Sequence, residues 1–135
     1  MSPDSPQVML VEDDPQFVYL IQRYARSSGC QVIHVDSVNQ AVPLAQQEQP
    51  DLILLDIPQS GTNSWQVLQA LKADPITRKI PVFVCSASEV ATRGWEEYAD
   101  GCLLKPVMYE DFMVALAATT SHLPSDATAR NVPRT

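Results

Sequence analysis

Four places in the sequence put reactive side chains directly after short apolar runs. Glu12, Asp13 and Asp14 follow residues 8–11, Asp56 follows 52–55, Ser86 follows 82–85, and Lys105-Pro106 follows 102–104. Three carboxylates gathered at one spot would repel one another and raise at least one pKa unless a cation shares the site. A hard divalent ion resolves this. Mg²⁺ takes oxygen ligands in an octahedron, keeps several waters, and is held by one or two carboxylates together with a phosphate. A nearby lysine adds a point positive charge, and a serine hydroxyl adds a hydrogen bond to a phosphoryl oxygen. The set describes an aspartate that accepts a phosphoryl group, because a carboxylate can act as nucleophile and phosphoryl transfer needs mainly positioning and charge neutralisation.

These residues act together only if the chain brings their runs side by side. Short β-rich apolar runs alternate with longer amphipathic stretches, the pattern of βαβ units feeding a parallel sheet. Strands are expected at 8–11, 31–35, 52–55, 82–85 and 102–104, several of them continuous apolar runs suited to burial on both faces. In a doubly wound sheet, ligands bind outside the carboxyl ends of the strands. Four of the five ends deliver a polar group there, whereas the second, His34-Val35-Asp36, supplies no matching group and reads as an edge strand.

The helices between them are legible to different degrees. Asp14 and Pro15 cap and open a helix with Phe17, Ile21, Tyr24 and Ala25 at helical spacing, stopped by Gly29. A second runs from about Ser37 to just before Pro50, and Pro43 predicts a kink or a late start in it. A third covers 63–73, buries Val67, Leu68 and Leu71, and ends at Asp74-Pro75. A fourth is expected over 88–98, interrupted by Gly94. The last begins near Tyr109, has Phe112, Met113 and Leu116 as its apolar face, and fades around Ser121. Residues 123–135 have no periodic apolar pattern, so the sequence divides into a domain over 6–121 and a disordered tail or linker start over 122–135.

Composition bounds the function classes. The 135 residues leave room for one domain, and 45% hydrophobic with 19% charged residues describe a globular one. A net charge of −7 and a pI near 4.6 argue against a strong phosphate-backbone binder, so no direct nucleic-acid contact is expected. No apolar run approaches the ~20 residues needed to cross a bilayer, and Met1-Ser2-Pro3-Asp4 lacks a basic, then apolar, signal sequence. A cytoplasmic chain without membrane contact is the expectation. Cys30, Cys85 and Cys102 have no C-x-x-C spacing and suggest neither a disulfide framework nor a zinc site.

The segments Val8-Met9-Leu10-Val11-Glu12-Asp13-Asp14-Pro15, Leu52-Ile53-Leu54-Leu55-Asp56-Ile57-Pro58, Pro81-Val82-Phe83-Val84-Cys85-Ser86-Ala87 and Gly101-Cys102-Leu103-Leu104-Lys105-Pro106 together resemble the receiver domain of two-component response regulators. The resemblance covers roughly residues 6–121. It implies a flavodoxin-like α/β fold, a five-stranded parallel sheet in the order 2-1-3-4-5 with helices on both faces. It implies that Asp56 is the phosphoacceptor, Asp13 a direct Mg²⁺ ligand, and Glu12 a second acidic residue acting largely through water. The backbone carbonyl of Pro58 would complete the protein ligands. Ser86 stands at the family's switch position, Lys105 at that of the phosphate-binding lysine, and Lys105-Pro106 at its usual cis peptide. The partners implied are a histidine kinase or phosphotransfer protein as donor and a downstream protein. The switching face would comprise the fourth helix, fifth strand and fifth helix, which leaves room for a homodimer through it. The activity implied is signalling rather than metabolic catalysis, with at most slow self-phosphorylation from small donors and slow self-dephosphorylation.

The departures from the family pattern motivate an alternative. Ile57-Pro58-Gln59-Ser60-Gly61 replaces the frequent Met-Pro-Gly turn and puts a proline, which keeps its C=O, at the carbonyl ligand. Ser64 stands at a family glycine, and Cys102 at the commonly aromatic position three residues before the lysine. From Ser86 to Lys105 the chain is about three residues shorter than usual, most of a turn of the fourth helix. These changes would suit a non-switching interaction module that retains the fold. Single residues also have bland readings: Asp14 as helix cap, Trp65 as packing, His34 and His122 as structural or solvated, Cys102 as a small buried residue. An aspartate-nucleophile phosphatase commonly needs a second aspartate two residues after the first, where this chain has Pro58. A flavin domain needs a Ser/Thr/Gly-rich phosphate loop after the first strand, and none is present.

Overall fold

Continuous apolar runs need cover on both faces, and the tertiary structure supplies it. In the computed structural model, which describes residues 5–57, 63–87 and 98–119, five strands form one parallel sheet in the order 2-1-3-4-5. They are β1 (Gln7–Val11), β2 (Gln31–Val35), β3 (Leu52–Asp56), β4 (Val82–Ser86) and β5 (Gly101–Leu104). Each lies within one residue of its expected bounds. Pro58, residues 88–97 of the helix expected over 88–98, and the tail from 122 lie outside the described residues.

The sheet separates two apolar layers. One face carries Met9, Val11, Ile53, Leu55, Val82 and Val84 against α2 (Ala41–Glu48) and α3 (Asn63–Ala73). The other carries Val8, Leu10, Leu52, Leu54, Phe83 and Leu103 against α1 (Pro15–Ser28) and α4 (Tyr109–Ala117). Neighbouring residues of a strand point to opposite faces, so a run such as Leu52–Leu55 serves both layers at once.

Local chemistry sets the helix bounds. The Asp14 carboxylate accepts the Gln16 N–H at 3.1 Å, Pro15 opens α1, and Gly29 closes it at φ 79°, a left-handed conformation natural to glycine. Pro43 delays α2 rather than kinking it. A 3-10 turn over Val38–Gln40 precedes the helix, and Pro43 falls at its third residue, where a backbone N–H has no intrahelical partner. Helix α3 matches its expected bounds. The last helix is regular to Ala117 and continues as a turn through residue 119. Among the described residues, no helix is long and apolar enough to cross a membrane.

Register is what positions the site. Val11 pairs with Leu55 and Val35, Asp56 with Cys85, and Ser86 with Leu104, so the carboxyl ends of the strands fall nearly in a row. The ladder continues one residue past three of these strands. Glu12 N–H donates to Val35 C=O at 3.0 Å, Ile57 N–H to Cys85 C=O at 2.8 Å, and Lys105 N–H to Ser86 C=O at 2.7 Å. The backbones of Glu12 and Lys105 are therefore held as firmly as strand residues.

Candidate functional site

Glu12 leaves β1 with its side chain buried, while Asp13 beside it is exposed. Its two carboxylate oxygens have different partners: Oε2 accepts the Asp14 N–H at 3.1 Å and Oε1 accepts the Lys105 ammonium at 3.1 Å. Asp14 is spent on capping α1, as its position suggested. Asp56 closes the central strand β3 at its carboxyl end, and its Oδ1 accepts the same ammonium at 2.8 Å. One lysine therefore bridges two carboxylates carried by non-adjacent chain segments.

Carboxylate oxygens of Glu12, Asp13 and Asp56 all lie within 4.8 Å of one another. They line a small cavity of about 120 Å³ together with Val11, Asp36, Val38 and Ser64. The electrostatics follow from this crowding. Burial, and then the Asp56 charge, push the Glu12 carboxyl above its ordinary pKa of 4.5, and Lys105 offsets this only in part. For Lys105, burial pulls the ammonium down. The hydrogen bond and charge of Asp56, joined by those of Glu12, outweigh it and leave the pKa above 10.5. The lysine is thus a permanent cation at neutral pH, facing more negative charge than it can balance.

Ser86 ends β4 in a buried position beside this row, next to the residue that pairs with Asp56. The peptide between Lys105 and Pro106 is cis, as expected. Pro58, the expected carbonyl ligand, lies outside the described residues. Trp65 is half-buried against the α2/α3 layer and meets Tyr98 edge-on with ring centroids 4.8 Å apart, which fits a packing role. Cys102 is half-buried in the same layer, and Cys85 is fully buried on the other, its thiol pushed far above the ordinary range by desolvation.

The structure corrects the reading of the second strand. Asp36, the first residue after β2, lines the cavity, and the exposed His34 donates from Nε2 to the Glu12 carbonyl at 2.7 Å. The edge strand therefore does contribute to the patch. Applying the same strand-end rule to all five strands would have found Asp36. Ser64 Oγ donates to the Asp56 backbone carbonyl at 2.8 Å, an interaction that the usual glycine could not make. The helical spacing of Phe17 marks it only as core. Its ring lies beneath the Lys105 ammonium, with the centroid 4.5 Å from Nζ, and helical periodicity carries no signal for that contact.

Known proteins resemble this chain in sequence and fold. Residues 8–117 match the family model described as the response regulator receiver domain. Protein PilH of Pseudomonas aeruginosa is 30% identical over 115 residues, covering 83% of this chain and 95% of that protein. The DNA-binding dual master transcriptional regulator RpaA of Synechocystis is 30% identical over 128 residues, covering 90% of this chain but 53% of that protein. The chain thus spans about half the length of RpaA. Among solved structures, a putative response regulator from Chloroflexus aurantiacus superposes with a TM-score of 0.77 at 18% identity, covering 88% of this chain and all of that one, a likeness of fold alone. The receiver domain of the Pseudomonas aeruginosa sensor histidine kinase PA1611 superposes with a TM-score of 0.70 at 25% identity, covering 81% and 92%, and is described with a magnesium ion coordinated in its active-site cleft. A parallel sheet in the order 2-1-3-4-5, an acidic cluster at its carboxyl edge and a family match across nearly all the described residues lead to one conclusion: the chain belongs to the response regulator receiver domains of two-component systems.

Proposed function

We propose that this chain receives a phosphoryl group on Asp56 in a Mg²⁺-dependent reaction, from a phosphohistidine of a histidine kinase or phosphotransfer protein. The observation that carries this reading is the Asp56 carboxylate, bonded to Lys105 at 2.8 Å and within 4.8 Å of the Glu12 and Asp13 oxygens. The donor set fits Mg²⁺: it is all oxygen, carries three formal negative charges against one lysine, and lines a cavity with room for a small hydrated ion. Asp13 and Asp56, with Glu12 through water and the Pro58 carbonyl, would hold it. Bound there, Mg²⁺ supplies charge neutralisation at the transferring phosphoryl oxygens.

The chain's own groups do the rest. A carboxylate oxygen of Asp56 attacks phosphorus, the P–N bond of the phosphohistidine breaks, and its electron pair stays on the imidazole nitrogen. Lys105 follows the charge from the carboxylate to the phosphoryl oxygens, and the Ser86 hydroxyl donates to one of them. Asp56 thereby changes from one negative charge to about two. The β4 and β5 ends that carry Ser86 and Lys105 lead into the segments after them, which is how a local charge change would reach a downstream protein.

Mass spectrometry after incubation with a small acyl phosphate and Mg²⁺ should show one added phosphoryl, absent from Asp56→Asn. An equal adduct on Asp56→Asn would overturn the assignment. Beryllofluoride should then move the amide resonances of residues 86–110. Phosphorylation without such movement would identify a module that keeps the fold but does not switch.

A further inference from the structure

We infer that Phe17 is a positioning residue for Lys105, its ring face holding the ammonium between the two carboxylates that the lysine bridges. The inference rests on the reading of Asp56 as phosphoacceptor. Among the described residues, three contacts place the ammonium: Asp56 Oδ1 at 2.8 Å, Glu12 Oε1 at 3.1 Å, and the Phe17 ring centroid at 4.5 Å. The last is well inside the ~6 Å at which a cation is attracted by an aromatic face.

The ring is a fixed partner, not a passing one. Phe17 is only 6% exposed, packs in the α1/α4 layer, and sits in the first turn of a helix whose start is pinned by the Asp14 cap. Lys105 has a long flexible stem and a side chain 23% exposed, so the two carboxylates hold its head from one side and the ring limits its movement on the other. Helix α1 also holds the same segment at a second point. Tyr24, seven residues on and therefore on the same face, donates its hydroxyl to the Val107 carbonyl at 2.8 Å. One helix thus secures both the lysine's head and the backbone beyond it.

An aromatic face suits the task for a physical reason. A carboxylate or carbonyl acceptor would fix the ammonium at one point, whereas the attraction of a π face varies slowly with lateral position. The lysine can then shift from the Asp56 carboxylate to the phosphoryl oxygens while remaining on the same support.

The test separates the ring's electrostatics from its bulk. Phe17 is replaced by increasingly fluorinated phenylalanines, which keep the shape while weakening the negative face, and by Leu and Tyr. Two quantities are read: the saturating rate of phosphorylation by acetyl phosphate in Mg²⁺, and the NMR shifts of the Lys105 side-chain methylenes. The methylenes should be shifted upfield by the ring in the parent protein and in Phe17→Tyr. They should move towards ordinary lysine values in Phe17→Leu and in the fully fluorinated variant. The rate should fall stepwise with fluorination, roughly threefold to tenfold at the end of the series, and return in Phe17→Tyr. Parent-like shifts and rates throughout would overturn the inference. So would a slow Phe17→Leu beside a parent-like fluorinated series, which would make Phe17 packing only. If the parent itself takes up no phosphoryl group, it is the function proposed for Asp56 that fails, and the Lys105 shifts still decide whether the ring holds the ammonium.

Discussion

The ammonium of Lys105 lies 2.8 Å from Oδ1 of Asp56, although 49 residues of chain separate the two. The contact exists because β3, β4 and β5 are neighbours in the sheet and end nearly level. It also fixes the charge balance of the pocket. Glu12, Asp13 and Asp56 against Lys105 leave a net −2, so the protein groups alone do not balance the charge of the pocket.

Adding Mg²⁺ should stabilise the fold. At a free concentration about ten times its dissociation constant, linkage gives roughly 1.4 kcal/mol, a rise of several degrees in Tm for a domain of this size. Thermal unfolding in Mg²⁺ and in chelator should show this difference in the parent and lose most of it in Asp13→Asn. An undiminished shift in that variant would remove Asp13 from the ligand set.

Glu12→Gln should stabilise the metal-free protein at neutral pH. Burial and the Asp56 charge raise the folded pKa of Glu12 above 4.5. A raised pKa means that its stabilising contribution is complete below the unfolded value and is lost as pH rises through the folded one. Glutamine lacks that loss. In chelator the variant should therefore be more stable than the parent at pH 7–8, with the gap closing as pH falls to 4.5 and below. Urea titrations at several pH values measure it, and a gap independent of pH would contradict the electrostatic origin.

Gly101→Ala should destabilise without touching the site. Gly101 pairs with Phe83 across β4 and β5, and a methyl group there would press into the Phe83 ring, which is fully buried. Overpacking of this kind costs about 1–3 kcal/mol. Denaturant midpoints should fall accordingly, and trimming the ring in Gly101→Ala/Phe83→Leu should recover part of the loss.

Tyr24→Phe should cost about 1 kcal/mol, because it removes the bond to the Val107 carbonyl in a buried stretch. Burial, and next the Asp111 charge, hold the Tyr24 phenol above its usual pKa of 10. Its contribution is thus present throughout the neutral range and lost only as pH rises through that higher value. Equilibrium unfolding at pH 7 and above 10 should show the difference between parent and variant shrinking.

Much of the site was legible because the polar residues sit at strand ends. Once Val8–Val11, Leu52–Leu55, Val82–Cys85 and Cys102–Leu104 read as parallel strands, the rule that ligands gather at their carboxyl ends placed Glu12, Asp13, Asp56, Ser86 and Lys105 in one patch. Asp36 escaped because the edge strand was given no role, although it occupies the equivalent position. Pro43 was placed within a helix, but its effect could be resolved only when the 3-10 turn before Ala41 showed the helix starting late.

Strand and helix periods, the Asp14–Pro15 start and Gly29 stop, and the order of polar residues along the chain were determined by the sequence alone, since each depends on neighbours a few residues away. Which of those groups touch was decided by the tertiary structure. The Phe17 ring under Lys105, the Ser64 hydroxyl on the Asp56 carbonyl and the His34 nitrogen on the Glu12 carbonyl join distant segments. Their geometry depends on how α1 and α3 lie across the sheet and how its strands are staggered, and such through-space packing leaves no period in the sequence.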